Sequence, residues 1–415
     1  MDRNLLAVFA SASFLRFGLS YIWPDVHELL DQRVEVTSSA TSFKQLKEGL
    51  HLYNLGISPY DGGVYKQSPL LLLLFNRLSP VSASSFTINA VYCLLDLFSA
   101  YALCRLSASN KLPKFAGRPA TWVVAACFLF NPLLLITSLA RSTAVISNTF
   151  TIGAIYFAFY NKTYMSVLFL AISSHINFYS LYFLPAFVLL WRQPGISRIA
   201  FSFRQICIFI LILVNLSFLG LYVSTPSRNT ENSKSHYMLQ YLTATYGNLL
   251  YFGDLTPNMG LWWYFFMEIF DGFRPLFTYI FQLYSFIFVF PISIRLHKQP
   301  LFAIITIAGL TTISKSYPEL GDLGVYLSLL LLYPNIFENT YYSLLSVLVI
   351  LHALVLAPSF YHLWIYLGSG NANFFYAITL VYTIGVTVII SDTLRATLRI
   401  EFDGGGPSAK QVSQI

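Results

Sequence analysis

Apolar and polar residues alternate along this chain in long blocks rather than in the short periods of a water-soluble domain. Runs such as Trp122 to Leu139 and Phe374 to Ile390 suit a hydrocarbon core, which takes about 20 residues to cross. Basic residues collect between particular blocks. Arg105, Lys111, Lys114 and Arg118 form an acid-free loop; Arg192, Arg198 and Arg204 form a second, Arg295 with Lys298 a third, and Arg395 with Arg399 mark the start of a C-terminal tail. Lys and Arg accumulate on the cytoplasmic side of membrane proteins, which assigns all four to the cytosol. Segments 24–68, 223–260 and 358–373 carry acids, aromatics and most of the turn residues, and the lumen takes them.

Alternating sides predict an all-α, polytopic helical bundle over 1–403, with both termini cytosolic and about 12 crossings, short or re-entrant pairs included. They fall at 5–23, 85–104, 120–140, 143–160, 164–174, 178–191, 202–223, 263–294, 301–314, 322–333, 341–357 and 374–394. The pairs 164–174 with 178–191 and 301–314 with 322–333 are too short to span comfortably. Backbone that turns at membrane depth has to be covered by protein, so they imply a bundle with an interior. Pro69 to Phe75 reads as a half-helix dipping in from the lumen, because a full crossing there would invert every later loop. Between Val26 and Tyr53, Leu29, Leu30, Leu46 and Leu50 interleave with Glu28, Asp31, Lys44, Lys47 and Glu48, the pattern of amphipathic helices on a membrane surface. Residues 404–415, opening on Gly404-Gly405-Gly406-Pro407, read as a flexible cytosolic tail.

Composition sharpens this picture. Of 415 residues 56% are hydrophobic and 10% charged, with a mean hydropathy of +0.62, against roughly 25% charged in soluble domains. The net charge of +7 is dispersed between apolar blocks rather than along one face, so it argues for orientation in a membrane and against nucleic acid. Leu5 to Trp23 lacks the cleavage pattern of a removable signal and reads as a retained first span. Cys93, Cys104, Cys127 and Cys207 lie in or beside apolar blocks without a C-x-x-C spacing, which predicts neither disulfide nor zinc, and apolar burial opposes the thiolate that a nucleophilic cysteine needs.

Ionisable groups within apolar blocks are the candidates for function: Arg16, Asp96, Arg141, Glu268, Asp271, Arg274, Lys315, Glu319 and Asp322. The alternative for each is pairing inside the bundle or snorkelling to an interface. Three-residue spacing puts Glu268, Asp271 and Arg274 on one face of a helix, where they are expected to form a buried polar cluster; an aromatic-anchored helix end beside Trp262, Trp263 and Tyr264 is the other reading. A sugar transferase using a lipid-linked donor needs luminal carboxylates. The sequence contains no D-x-D; Glu401-Phe402-Asp403 falls in the expected cytosolic tail, and Asp25 and Asp31 are isolated. G-x-G-x-x-G, P-loop, H-E-x-x-H and G-x-S-x-G patterns are all missing, and the repeat symmetry of many transporters is not visible. No metal, cofactor or catalytic residue is assigned.

Asn371 and Asn373, with Phe374 and Phe375, follow the turn Gly368-Ser369-Gly370 just where a long apolar helix begins. Amides donate and accept hydrogen bonds, as glycan hydroxyls and phosphate require, and aromatic rings suit sugar faces and acyl chains. These four are the candidate lipid-binding residues, with Asn373 as a plain helix cap the competing reading.

Several strings resemble one family across nearly the whole chain: Ser58-Pro59-Tyr60 with Ser68-Pro69-Leu70, Asn131-Pro132 before Ala140-Arg141-Ser142-Thr143, Asp254 to Phe266, Lys315-Ser316-Tyr317-Pro318 with Gly321-Asp322, and His362 to Ala377. In this order they resemble the PIG-U family of GPI transamidase subunits in the endoplasmic reticulum. The resemblance implies a bundle of the GT-C kind, related to the mannosyltransferases that use dolichol-linked sugar, without their transferase activity. It also implies a non-catalytic role beside a cysteine-protease-like subunit, with the GPI lipid as ligand. Phe270 to Arg274 is similar to a motif of fatty acid elongases. A GPI mannosyltransferase ranks second and a lipid or solute transporter third.

Overall fold

The computed structural model describes residues 3–78, 85–113, 116–192, 198–224 and 234–403. Lys114, the stretch 225–233 of the expected luminal segment and the expected tail 404–415 lie outside them. Among the described residues every regular element is helical. In chain order they are α1 (Arg3–Ile22), α2 (Val26–Asp31), α3 (Phe43–Asn54), α4 (Pro69–Leu78), α5 (Ser85–Ser107), α6 (Thr121–Leu129) and α7 (Pro132–Leu139). Then come α8 (Ala144–Phe159), α9 (Thr163–Ile176), α10 (Leu184–Leu190), α11 (Arg198–Ser224), α12 (Lys234–Leu242), α13 (Asn248–Tyr251) and α14 (Trp262–Glu268). The last are α15 (Arg274–Ile287), α16 (Val289–Arg295), α17 (Pro300–Ser314), α18 (Leu320–Leu330), α19 (Ser343–Ile365) and α20 (Ala372–Phe402).

Length and burial sort these helices into two sets. Six runs are long and apolar enough to cross a membrane: α1, α5, α11, the α15–α16 stretch, α19 and α20. The pair α6–α7, bent by 52°, makes a seventh if it counts as one. Shorter α8, α17 and α18 lie inside: 13 of the 15 residues of α17 are buried, against 3 of the 20 in α1. A helix apolar on every side belongs in a core, and the long helices form much of the wall around it. At 1.5 Å per residue, the 16 residues of α8 rise only about 24 Å, less than a hydrocarbon core of about 30 Å.

The bend between α6 and α7 follows from Asn131-Pro132. Pro132 lacks an N–H and starts α7, while the Asn131 side chain accepts from Leu133 N at 3.0 Å. Leu129 O, left without its helical partner, instead accepts from Arg16 Nη2 at 3.1 Å, and Arg16 Nε bonds Asp96 Oδ2 at 2.9 Å. Two of the ionisable candidates thus neutralise each other between α1 and α5.

Loops gather by end. At one end Thr143 N donates to Thr41 O (3.0 Å), Leu320 N to Glu35 O (3.1 Å), and Lys66 pairs with Asp254 at 2.6 Å. At the other end of the same helices Lys111 Nζ reaches Asn161 Oδ1 (3.1 Å), Arg295 pairs with Glu401 (2.9 Å), and Arg395 Nη2 donates to Asn339 O (2.8 Å). We refer to these as the loop end and the basic end.

Besides the expected 120–140 crossing, which bends between α6 and α7, two expected elements differ. The continuous helix over 263–294 is broken: α14 stops at Glu268, Ile269 and Phe270 are extended, and Asp271–Phe273 form one 3-10 turn before α15. Gly272 weakens a helix, and Pro275 is tolerated only in a first turn, so the chain restarts at Arg274. Three-residue spacing therefore does not place Glu268, Asp271 and Arg274 on a shared face. In the opposite sense, α19 runs through Pro358 to Ile365, which shortens the expected 358–373 loop to 366–371. Gly368, at φ +63°, supplies the left-handed residue after this helix.

Candidate functional site

At the loop end, Trp262–Glu268 seats two tryptophans in the bundle. Trp262 Nε1 donates to Ser314 O at 3.1 Å. Trp263 is fully buried, stacked on Trp364 with centroids 5.8 Å apart and in contact with Phe375 and Tyr376. Tyr264 stacks on Tyr376 at 4.4 Å, and its hydroxyl donates to Asn373 Oδ1. These rings join α14, α19 and α20 into one aromatic tier.

On the tier stand the four candidate lipid-binding residues, in unequal positions. Asn371, not Asn373, caps α20: its side chain accepts from Asn373 N at 2.6 Å. Asn371 and Asn373 are exposed, as is Phe374, whose ring stacks on Phe360 at 5.9 Å. Phe375 is completely buried and belongs to the packing beneath. Glu268 and Asp271 are exposed, and Arg274 Nη2 donates to Phe252 O at 3.0 Å; among the described residues no ion pair joins the three.

Beside the tier lies a buried polar knot. Glu319 Oε1 accepts from Ser38 N (3.3 Å), Ser38 Oγ (2.7 Å) and Thr41 Oγ1, and its Oε2 from Ser142 Oγ (3.2 Å). Glu319 also caps α18, with Asp322 Oδ2 accepting from Glu319 N at 2.9 Å and from Lys315 Nζ at 2.5 Å. Tyr179 clasps Ser316 through two 3.0 Å hydrogen bonds. Gln67 links Ser42 O (2.7 Å) to the Thr143 hydroxyl (3.1 Å). Burial alone would raise the Asp254 carboxyl, but bonds from Lys66 and Thr256 bring it down to about 2, whereas burial leaves Glu35 above the usual carboxylate range.

Of the ionisable candidates, Lys315, Glu319 and Asp322 come together here, as the sequence allowed. Ser38, Thr41 and Ser142 were not singled out. They are ordinary hydroxyls in loops remote along the chain, and only Glu319 reveals their use. Cys93 and Cys104 are buried, and Cys127 and Cys207 sit on exposed helix faces. Among the described residues no group of three His, Cys, Asp or Glu could hold a metal. The tier offers exposed amides and rings.

Residues 10–382 match the family model described as GPI transamidase subunit PIG-U. The chain belongs to the PIG-U family. It is 35% identical over its whole length, and the relative's, to the GPI transamidase component GAB1 of Saccharomyces cerevisiae. It is 34% identical to the GAB1 homolog of Schizosaccharomyces pombe, over 99% of this chain and 97% of the relative. To the human GPI-anchor transamidase component PIGU it is 30% identical, over 96% and 93%. Strings on which the PIG-U resemblance rested, among them Asp254 to Phe266, Lys315 to Pro318 with Gly321-Asp322, Ala140 to Thr143 and His362 to Ala377, meet at the loop end.

Proposed function

We propose that this PIG-U chain is a non-catalytic subunit of GPI transamidase in the endoplasmic reticulum membrane, and that its loop end holds the GPI lipid in the lumen. The cleaving cysteine then belongs to a cysteine-protease-like partner subunit. One observation carries this reading: Asn371, Asn373 and Phe374 stand exposed on a fixed aromatic tier where the apolar surface of α20 begins. A GPI donor has acyl chains in the bilayer and a glycan in the lumen, so its holder needs polar groups and rings at that junction. Twelve crossings in a GT-C-like arrangement, the long helices outside and the short pairs within, complete the proposal, with both termini and the basic end in the cytosol.

The test separates ligand contact from support. Tyr264→Phe removes the hydroxyl that ties Asn373 yet leaves its amide in place. Asn373→Ala removes the amide. With each variant assembled normally, Asn373→Ala is expected to lower surface GPI-anchored protein and accumulate uncleaved precursor, and Tyr264→Phe to behave as wild type. If both variants lose anchoring equally, Asn373 acts only through the tier; if neither does, the segment is not where the lipid is held.

A further inference from the structure

Several polar side chains on the outward faces of the long helices bond their own helix. Ser11 Oγ donates to Ala7 O at 2.8 Å in α1, Asn215 Nδ2 to Leu211 O at 2.7 Å in α11, and Thr387 Oγ1 to Thr383 O at 2.7 Å in α20. A polar group surrounded by hydrocarbon has no better recourse. On α19 the pattern changes. His352 and Ser359 are exposed, and among the described residues neither side chain makes a hydrogen bond or an ion pair. His352 is the tenth of the 23 residues of α19, which at 1.5 Å per residue puts it about 14 Å along a helix of about 34 Å, near the middle, with Ser359 about 10 Å further on.

Both groups lie on one face. Ser346, Ile350, Ala353 and Ala357 are the buried residues of α19, and Ile350 lies against Gly385 of α20. Leu345, Leu348, His352, Val355, Ser359 and His362, spaced alternately by three and four, follow the opposite side, and all six are exposed, Val355 by 70%. Such a row is the seam along which a second helix packs at a shallow crossing angle. Were it apolar throughout, it would suit lipid as well as protein. Two unsatisfied polar groups separate those cases. At that depth neither acyl chains nor water offers them a partner, and only another helix can carry one there.

We propose that this face of α19 docks one transmembrane helix of another subunit of the complex, and that the docked helix carries hydrogen-bonding side chains two turns apart, opposite His352 and Ser359. A neutral imidazole donates from one nitrogen and accepts at the other, and a serine hydroxyl does both, so amides and hydroxyls on the partner fit both places. Membership of the complex is all this docking requires; the place where the lipid is held does not enter.

For the test, the photo-crosslinking residue benzoylphenylalanine replaces Val355, between the two polar groups, in the assembled complex of cells that also express a differently tagged copy of this chain. Irradiation is expected to give an adduct with one other subunit, and peptide mapping to place it in a transmembrane segment with amide or hydroxyl side chains about seven residues apart, the two-turn repeat of such a seam. His352→Leu in the same background should cut the adduct, and recovery of that subunit after detergent extraction, about threefold, the value of one hydrogen bond between helices in a membrane. His352→Gln, which keeps a donor and an acceptor, should restore both. On a face bare to lipid, His352→Leu removes an unsatisfied polar group and leaves assembly as it was or improves it. An adduct with lipid alone or with the second copy, a crosslinked segment without polar side chains, or undiminished assembly of His352→Leu would each overturn the proposal.

Discussion

Glu319 fastens three stretches of chain that lie far apart in sequence, the turn at Ser38 to Thr41, the turn before α8 at Ser142, and its own turn before α18. Its neighbours Lys315 and Asp322 are as deeply placed, with side chains 6% and 12% exposed. Breaking a buried ion pair from one side strands a charge and costs about 3 to 5 kcal/mol, whereas neutralising both sides costs far less. Lys315→Met is therefore expected to lower the melting temperature of the assembled complex more than Lys315→Met with Asp322→Asn, since Asn keeps an acceptor for Glu319 N. At α20, Asn371→Ala should cost about 1 kcal/mol through the lost cap and Asn371→Ser much less, read by the same melting measurement. Residue chemistry was legible where charge betrayed it: Arg16, Asp96, Lys315, Glu319 and Asp322 stand out in an apolar sequence. Which amide caps α20 was not, because Asn371 and Asn373 both suit the position and only backbone geometry separates them.

Among the elements, the longest side-by-side contact is between α19 and α20, and it depends on a missing side chain. A Cβ at Gly385 would lie 2.8 Å from Ile350 Cγ1 and 3.3 Å from Ile350 N, so the two backbones approach as they do only across a glycine. Gly385→Val should destabilise this pair by about 1 to 3 kcal/mol, as overpacking does, and is checked by the yield of assembled complex after heating. Most helices were legible from apolar runs, and α8, α9, α17 and α18 fall within a few residues of their expected bounds. The misjudged elements turn on proline and glycine. Gly272 and Pro275 end a helix that hydropathy alone prolongs, while Pro358 sits inside α19 because an apolar segment in lipid has no better way to satisfy its backbone.

On the scale of the whole molecule, the sorting of loops into two ends makes topology testable. Asn161 lies beside Lys111 at the basic end, so the acceptor pattern Asn161-Lys162-Thr163 should carry no glycan, and Asn215-Leu216-Ser217, inside α11, should carry none either. A cysteine introduced at Lys111 should react with an impermeant maleimide in cells opened only at the plasma membrane, and one at Lys47 only after the internal membranes are breached; the reverse pattern would turn the proposed orientation over. The division into loops was readable from the placement of Lys and Arg, but the layering was not, since hydropathy does not tell a helix that faces lipid from one that faces other helices. That layering bears on how the chain is made. Helices of 15 and 11 residues such as α17 and α18 are poor substrates for one-at-a-time release into lipid, and Glu319, in the turn between them, has its side-chain partners on Ser38, Thr41 and Ser142, made much earlier. Interior pairs should therefore leave the insertion machinery as hairpins, held back until the outer helices are in place. Nascent chains stalled just after Ser314 should remain crosslinked to the translocation channel, while chains stalled past Leu330 should be released.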